Sequence, residues 1–166
     1  MKILLLSDSH SAMSFMRRSV EAVKPDVMIH LGDYADDGQA LHQEYPQIPF
    51  YQVPGNCDRY RWDPREPEIL MPIIGGVKLY MTHGHRHSVK LHLGALIRDT
   101  RQSGAQAALY GHTHQADCHQ EPDGLWVVNP GSCGFYGGSV GLMEVENGQI
   151  RSCRILTQED LLATDR

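Results

Sequence analysis

Five short and mainly apolar runs, each followed at once by a polar turn, set the pattern of the first two thirds of the chain. The runs are 3–6, 27–31, 50–53, 77–82 and 107–110. Apolar runs of this length are typical of strands buried on both faces, as in a parallel sheet covered by helices. The pattern therefore predicts five strands whose carboxyl ends carry polar residues.

Amphipathic segments between these runs predict the helices. We expect Ser11 or Ser14 to cap a first helix, a short second helix to cover 39–44, and Ser88 to cap a third helix that reaches about Gln102. Strands that alternate with helices in this way favour right-handed parallel connections. The sequence therefore predicts an α/β fold.

The rest of the chain has the pattern of antiparallel hairpins. Gly75-Gly76 separates predicted strands at 69–74 and 77–82, and Asn147-Gly148 is the strongest hairpin signal in the chain. Further strands are expected over 116–120, 125–128, 140–145 and 149–156, followed by a short acidic helix or tail over 157–162. The sequence contains neither an internal repeat nor an interdomain linker, so we expect one domain over 1–166.

Composition and charge narrow the class of protein. The 166 residues are 41% apolar and 21% charged, which is ordinary for a globular chain, and the formal net charge is −5. A protein that coats nucleic acid is expected to carry a basic face, so the acidic balance disfavours that function and a nuclease.

Cysteine spacing and the start of the chain indicate the cellular compartment of the protein. The four cysteines are Cys57, Cys118, Cys133 and Cys153, and they lack the short paired spacing of a structural zinc site. The first apolar run is too short for a secretory signal, and no stretch approaches the roughly 20 apolar residues of a membrane span. We therefore expect reduced thiols, no membrane association and a cytoplasmic location.

Candidate metal ligands follow all five of the predicted strands. They are Asp8, His10, Asp33, Asn56, His83, His112 and His114. Turns at the carboxyl ends of parallel strands lie at one edge of a sheet, where ligands usually bind. Carboxylate, amide and imidazole groups suit Mn²⁺, Mg²⁺, Fe or Zn²⁺, and seven ligands exceed what one tetrahedral metal needs. The alternative, capping aspartates and surface histidines, requires an independent coincidence at every strand.

Five sequence blocks, in this order and spacing, resemble the calcineurin-like metallophosphoesterases. The blocks are Asp8-Ser9-His10, Gly32-Asp33, Gly55-Asn56-Cys57-Asp58, His83-Gly84-His85 and Gly111-His112-Thr113-His114. The small size and the Gly-Asn-Cys-Asp block are most similar to the compact bacterial and archaeal branch that includes the YfcE-type phosphodiesterases. The resemblance covers about 1–140. It implies a two-sheet α/β sandwich with helices on the outer faces, in which the antiparallel last third forms much of the second sheet.

The resemblance also implies a role for each ligand in a site with two divalent cations. Asp8, His10 and His114 would bind the first metal, Asn56, His83 and His112 the second, and Asp33 both. A bridging hydroxide would then attack a small phosphodiester in line. Mn²⁺ is the first expectation, with Mg²⁺, Zn²⁺, Fe, Co²⁺ or Ni²⁺ as alternatives, and Asp33, Asn56 and His85 are the candidate catalytic residues.

Four residues near these blocks have two interpretations each. Cys57 stands where many members place a histidine thought to protonate the leaving oxygen, so it is either a weak proton donor or a structural filler. Asp58 either fixes its loop or orients a ligand. His85 either approaches the phosphate or faces solvent. Arg59, which opens the segment Arg-Tyr-Arg-Trp at 59–62, either holds substrate or belongs to a solvated loop. The turn Asn129-Pro130-Gly131-Ser132 likewise either borders the metals or is only a tight turn.

Three functions remain after these considerations. A phosphodiesterase is the leading hypothesis, and a phosphomonoesterase is an alternative that the ligands alone do not separate from it. A binding scaffold that has lost its metals is the second alternative, but such a protein should lack at least one ligand, and this chain retains all seven. The sequence leaves open whether the chain forms a homo-oligomer.

Overall fold

The computed structural model describes residues 1–163, and the last three residues of the predicted domain, 164–166, lie outside the described part. The strands are β1 (Lys2–Leu6), β2 (Val27–His30), β3 (Phe50–Gln52), β4 (Ile69–Leu70), β5 (Ile73–Ile74), β6 (Val77–Thr82), β7 (Ala107–Leu109), β8 (Asp117–Gln120), β9 (Trp126–Asn129), β10 (Ser139–Glu146) and β11 (Gln149–Thr157). The helices are α1 (Met13–Val23), α2 (Ala35–Glu44), α3 (Gly94–Ser103) and α4 (Gln158–Ala163), with a 3₁₀ turn at His85–His87.

The first sheet has the strand order β11-β10-β1-β2-β3. β1 pairs in parallel with β2, and β2 with β3, through the helical crossovers α1 and α2. β10 runs antiparallel on the other side of β1, with Leu4 opposite Leu142, and β11 completes the hairpin. The first strand of the chain is therefore central in its sheet and has both backbone edges paired.

The second sheet has the order β4-β6-β7-β9-β8, and β5 also pairs with β6. β6, β7 and β9 are parallel neighbours, whereas β4, β5 and β8 run antiparallel to theirs. Met71 and Pro72 divide the predicted strand 69–74 into β4 and β5. Proline lacks the N–H that a continuous ladder needs, which accounts for the division.

Three apolar layers place the two sheets face to face and the helices outside. Leu5, Ile29, Leu79 and Val128 belong to the core between the sheets. A second cluster covers the other face of the first sheet with α1, α2 and α4, and a third covers the second sheet with α3. Strands buried on both faces explain the continuous apolar runs. The predicted two-sheet α/β sandwich with outer helices is confirmed.

The structure corrects three helix starts. α1 begins at Met13 without a side-chain cap, because Ser11 has a left-handed φ of 65° and Ser14 already lies inside the first turn. α2 begins at Ala35 rather than at residue 39, with Asp36 and Asp37 near its positive N-terminal end. α3 begins at Gly94, well after Ser88, which ends the 3₁₀ turn with a φ of 54°.

Sheet membership of the last hairpin is a further correction. The antiparallel third of the chain was expected to form much of the second sheet, but only β8 and β9 do so. β10 and β11 join the first sheet beside β1. The hairpin itself, around Asn147-Gly148, forms as predicted.

Candidate metal centre

Loops from both sheets meet at the carboxyl ends of the parallel strands. The Asp8 N–H donates to the Gly32 carbonyl at 3.0 Å within the first sheet, and the Gly111 N–H donates to the His83 carbonyl at 3.0 Å within the second. The His112 N–H crosses between the sheets to Asp8 Oδ2 at 3.1 Å. The predicted ligands therefore meet where two sheets face each other, and not along the edge of one sheet.

Asp8 is fully buried and uses its two carboxylate oxygens differently. Oδ2 accepts hydrogen bonds from Ser7 Oγ at 2.6 Å and from the His112 N–H. Oδ1 is buried without a hydrogen-bond partner, 3.1 Å from His114 Nε2 and 3.9 Å from His83 Nε2. Burial raises the pKa of Asp8, although His83, Ser7 and His114 oppose the rise. An orphaned buried carboxylate oxygen among imidazoles fits a cation ligand.

Two groups of possible ligands share Asp8. Asp8, His10 and His114 form one triad, and Asp8, Asp33 and His83 form the other. In each triad the ligand atoms lie within 4.8 Å of one another. The first triad matches the set that the sequence predicts for the first metal, and it brings His10 Nε2 to 3.4 Å from His114 Nε2.

The second triad has a defined proton arrangement. His83 Nδ1 donates to the Leu31 carbonyl at 2.8 Å, which leaves Nε2 facing the site. Nε2 lies 3.4 Å from Asp33 Oδ2 and 3.1 Å from Asn56 Oδ1. Asp33 Oδ1 accepts the N–H of Cys57 at 2.8 Å, so one oxygen of Asp33 is held and the other faces His83. This is the arrangement expected of a metal-binding histidine oriented by a carbonyl.

The charges of Asp33 and His83 support each other. Burial opposes ionisation of Asp33, but the contact with His83 and the N–H of Cys57 lower the pKa of Asp33 below its ordinary value. Burial likewise opposes protonation of His83, but Asp33 and Asp8 outweigh it and raise the pKa of His83. The pocket therefore favours positive charge beside Asp33, and a bound cation would take the place of the proton on His83.

His112 and His85 complete the imidazole cluster. The His112 ring lies 5.1 Å from the His83 ring, and the His85 ring lies 5.5 Å from His83 and 6.1 Å from His112. Burial and His83 lower the pKa of His112 to about 4, which keeps its ring neutral. His85 Nδ1 is buried without a hydrogen-bond partner. The structure thus brings all seven predicted ligands and His85 together.

Five of the seven ligands have a left-handed backbone, with φ values of 49° at Asp8, 44° at His10, 58° at Asp33, 70° at His112 and 60° at His114. Asp and His tolerate this region better than most residues, but it is sparsely populated outside glycine. Such conformations are found where the surrounding structure fixes the chain at functional sites. The backbone conformation of these loops therefore fixes the direction of the side chains.

Asp58 holds two of the ligand loops together. Its Oδ2 accepts the N–H groups of Asp33 and Gly55, each at 2.8 Å, and its Oδ1 accepts the N–H of Ala35 at 2.9 Å. The Asp58 carboxylate is buried, so these three bonds replace its hydration. Of the two predicted interpretations, the geometry favours a residue that fixes its loop.

Cys57 and Arg59 lie at the outer side of this turn. The Cys57 thiol is exposed, and Asn56 Nδ2 donates to its sulfur at 3.7 Å. Burial of part of the group and the charge of Asp33 raise the pKa of Cys57 to about 11, so the sulfur stays protonated and is unsuited as an anionic ligand. The Arg59 guanidinium lies 5.0 Å from the Tyr60 ring. Arg59, Asn56 and His85 line one cleft.

Sequence reasoning assigned no definite role to several residues that hold the ligand loops. His30 is buried, with Nε2 at 3.1 Å from Ser9 Oγ and with Nδ1 accepting the Gly32 N–H at 3.3 Å. Asn129 Nδ2 donates to the Gly111 carbonyl at 3.0 Å, and Ser132 Oγ donates to the Asp8 carbonyl at 2.7 Å. Their only signal in the sequence is that each is a polar residue at or just after the end of an apolar run.

The family profile of the calcineurin-like phosphoesterase superfamily domain matches residues 1–148. The chain belongs to this superfamily. The resemblance in the five sequence blocks is thereby confirmed, and membership indicates a metal-dependent hydrolase of phosphate esters.

Curated relatives of this phosphoesterase carry related names. The probable metallophosphoesterase YsnB of Bacillus subtilis (strain 168) is 32% identical over 135 residues, which cover 80% of this chain and 75% of the relative. Phosphodiesterase MJ0936 of Methanocaldococcus jannaschii is 28% identical over 169 residues, which cover 91% of this chain and 97% of the relative.

Solved structures share the fold of this phosphoesterase. A predicted phosphoesterase from Streptococcus pneumoniae TIGR4 matches with a TM-score of 0.72 at 23% identity, covering 95% of this chain and 90% of that one. Vps29 of Entamoeba histolytica, crystallised with Zn²⁺, matches with a TM-score of 0.69 at 18% identity, covering 95% and 99%. Within residues 1–163, no helix has the length and apolar character that crossing a membrane requires.

Proposed function

We propose that the protein is a phosphodiesterase that uses two divalent cations. The observation that carries this proposal is the pair of ligand triads that share Asp8, whose orphaned buried oxygen lies between them. In this proposal Asp8, His10 and His114 hold one cation, Asn56, His83 and His112 hold the other, and Asp33 contacts both. Mn²⁺ is the first candidate, since carboxylate, amide and imidazole ligands suit it.

The cations, when bound, would supply Lewis acidity that activates water and neutralises phosphate charge. The residues of the chain then do the positioning. Leu31 keeps the Nε2 atom of His83 available, and Ser7 and the His112 N–H keep one oxygen of Asp8 engaged so that the other faces the centre. His85, next to His83 and His112, is the candidate for contact with the phosphate or the leaving group.

A diester is favoured over a monoester because two separate clefts each include residues of the candidate centre in their lining. One, of about 890 Å³, is lined by His114 and Tyr136 among others. The other, of about 840 Å³, is lined by Asn56, Arg59 and His85 among others. A phosphate held between His114 and Asn56 has room for a substituent on each side, and a monoester would use only one. The name of the archaeal relative, a phosphodiesterase, agrees with this choice.

The proposal includes a small phosphate ester as substrate and a cytoplasmic location. None of the four cysteines forms a disulfide, as expected of a protein in a reducing compartment. The acidic net charge of −5 gives no support to a polymeric nucleic acid as partner.

The deciding experiment compares a diester and a monoester with the same leaving group. Protein stripped with a chelator is supplied with Mn²⁺, Mg²⁺ or Zn²⁺ and assayed with bis(4-nitrophenyl) phosphate and with 4-nitrophenyl phosphate. We expect metal-dependent cleavage of the diester with a kcat/KM at least roughly tenfold higher than that of the monoester, about 1.4 kcal/mol in transition-state stabilisation. Preference for the monoester would make the protein a phosphomonoesterase, and cleavage of neither ester with any of the three metals would favour the scaffold.

A further inference from the structure

Aromatic rings cover one side of the candidate metal centre. The ring of Phe135 lies 4.5 Å from the His10 ring in an edge arrangement, and 5.1 Å from the His114 ring at an interplanar angle of 12°. The Tyr34 ring lies 4.6 Å from the His10 ring. Two side chains proposed to bind the first cation are therefore bordered by aromatic residues that the sequence blocks do not include.

These aromatic residues are partly exposed to solvent. The exposed fraction is 45% for Phe135, 42% for Tyr34 and 85% for Tyr136, whose ring centre is 6.5 Å from that of Phe135. Tyr136 and His114 also line the cleft of about 890 Å³. Of the three aromatic residues, Tyr136 lines this cleft and Phe135 and Tyr34 lie beside it on the histidine rings. Exposed aromatic surface next to a cleft is typical of a binding surface.

The loop that carries Phe135 is fixed to the centre. Ser132 Oγ donates to the Asp8 carbonyl at 2.7 Å and accepts the N–H groups of Gly134 at 3.1 Å and Phe135 at 3.0 Å. A Cβ atom on Gly134 would lie 2.7 Å from the Ser9 carbonyl oxygen, so the loop approaches the ligand loop more closely than a side chain allows. These contacts fix the position of Phe135 relative to Asp8.

We infer that Phe135, together with Tyr34 and Tyr136, forms an aromatic subsite that binds a flat ring attached through one ester oxygen of the substrate. The inference rests on the proposed function, and it names the substrate class as diesters that carry an aryl group or a nucleobase. Stacking of a flat ring on an aromatic side chain tolerates many ring types, so both sources share this chemistry. A ring bound there would lie beside His114 while the phosphate occupies the centre.

Binding of two unreactive diester mimics tests the subsite without turnover. Diphenylphosphinate and dimethylphosphinate carry the same single negative charge and differ in their rings, and their dissociation constants are measured by calorimetry on Mn²⁺-loaded protein. We expect the wild type to prefer the diphenyl compound, and Phe135→Ala to reduce that preference roughly tenfold. Phe135→Leu keeps apolar bulk and is expected to lose most of the same preference. Ile73→Ala, at an exposed apolar residue on β5, is the control and should leave it unchanged.

Kinetics with a constant leaving group separates the two sources of the ring. Methyl, phenyl and thymidine-5′ esters of 4-nitrophenyl phosphate are compared by kcat/KM, with metal content measured for every variant. A Phe135→Ala loss confined to the phenyl ester indicates an aryl substrate, and a loss that includes the thymidine ester indicates a nucleotide. An equal loss for all three esters would mean that Phe135 acts only through the histidine rings, which overturns the inference.

Two further results would be decisive. If the preference for the diphenyl compound survives in Phe135→Ala but disappears in Trp62→Leu, the ring binds in the opposite cleft and the inference is wrong. If the wild type cleaves none of the three esters, the proposed function fails, whereas the phosphinate affinities still decide whether the aromatic subsite exists.

Discussion

The two oxygens of each central carboxylate, Asp8 and Asp33, have different contacts. Asp8 Oδ2 and Asp33 Oδ1 accept hydrogen bonds from the protein, whereas Asp8 Oδ1 and Asp33 Oδ2 face the imidazoles. A carboxylate held in this way is already oriented for a cation and loses little side-chain freedom on binding it. Asp8 and Asp33 therefore each have an oxygen suited to contact two cations. Substitutions at the two positions can show which residue bridges the cations.

Asn substitutions at Asp8 and Asp33 distinguish between these two bridging assignments. If Asp33 contacts both cations, Asp33→Asn should retain clearly less than one Mn²⁺ per chain and lose activity, whereas Asp8→Asn should retain about one, held by the ligands around His83. The measurement is elemental analysis after gel filtration, with circular dichroism to confirm that each variant is folded. The reverse pattern would assign the bridging role to Asp8.

At the scale of elements, the loops between strands and helices are held by single buried side chains. Asp58 connects the loop after β2 with the loop after β3 through three backbone N–H groups. Ser132 connects the loop after β9 with the loop after β1, 124 residues away in sequence. The positions of the ligands therefore depend on residues that do not touch a cation themselves.

Asp58→Asn tests this dependence. The substitution places an amide N–H₂ group among backbone donors and removes the charge that they stabilise, so we expect the free energy of unfolding to fall by about 2–4 kcal/mol. Urea denaturation with chelator present measures this fall without a contribution from bound metal. The matched control is Asp63→Asn, whose carboxylate pairs with Arg65 at the surface and should leave the free energy of unfolding nearly unchanged. Equal effects at the two positions would show that Asp58 does not hold the loops.

The elements themselves were predictable to different degrees. Strands such as β1 and β2 were evident because burial on both faces leaves mainly apolar residues in them. The start of α3 was not, since Ser88 adopts a left-handed conformation instead of capping, and the helix begins with Leu93 and Gly94 and no polar cap. The sheet that β10 joins was also hidden, because its pairing with β1 is a contact between distant segments that a local apolar pattern does not encode.

At the scale of the whole molecule, a buried histidine links stability to pH. Burial and His83 lower the pKa of His30 to about 3. Nδ1 of His30 accepts the Gly32 N–H, so a proton on Nδ1 would remove that bond and place two donors face to face. The folded protein therefore requires His30 to be neutral, whereas the unfolded chain protonates it near pH 6.5.

The sign of the pH effect follows from this difference. Between about pH 6.5 and pH 3 the unfolded chain binds one proton more at His30, so the free energy of unfolding falls as the pH is lowered, by up to about 1.4 kcal/mol per pH unit. His30→Gln removes this contribution while other histidines keep theirs. Urea denaturation at pH 5, 6 and 7, with chelator, should give a smaller pH dependence for the variant than for the wild type. Parallel curves would contradict the assignment.

The parts of the candidate site that lie in short sequence motifs were predictable. The seven candidate ligands were identified because each follows a strand within a short block, and the structure brings them together. Phe135 was not recognised as part of the site, and the sequence left two interpretations for the turn with Asn129 and Ser132, a border of the metals or only a tight turn. Their contacts with His114, Asp8 and Gly111 span 18 residues or more, and nothing in their immediate neighbours distinguishes them from ordinary turn residues.

Each ligand triad draws on both sheets: His114 and His83 follow strands of the second sheet, whereas Asp8, His10 and Asp33 follow strands of the first. Among residues 1–163, neither sheet supplies a complete triad by itself. A cation bound to either triad would therefore connect the two sheets. We therefore expect saturating concentrations of cation to oppose separation of the two sheets. After chelation, the end of the sandwich that carries the triads should be the part that opens most easily.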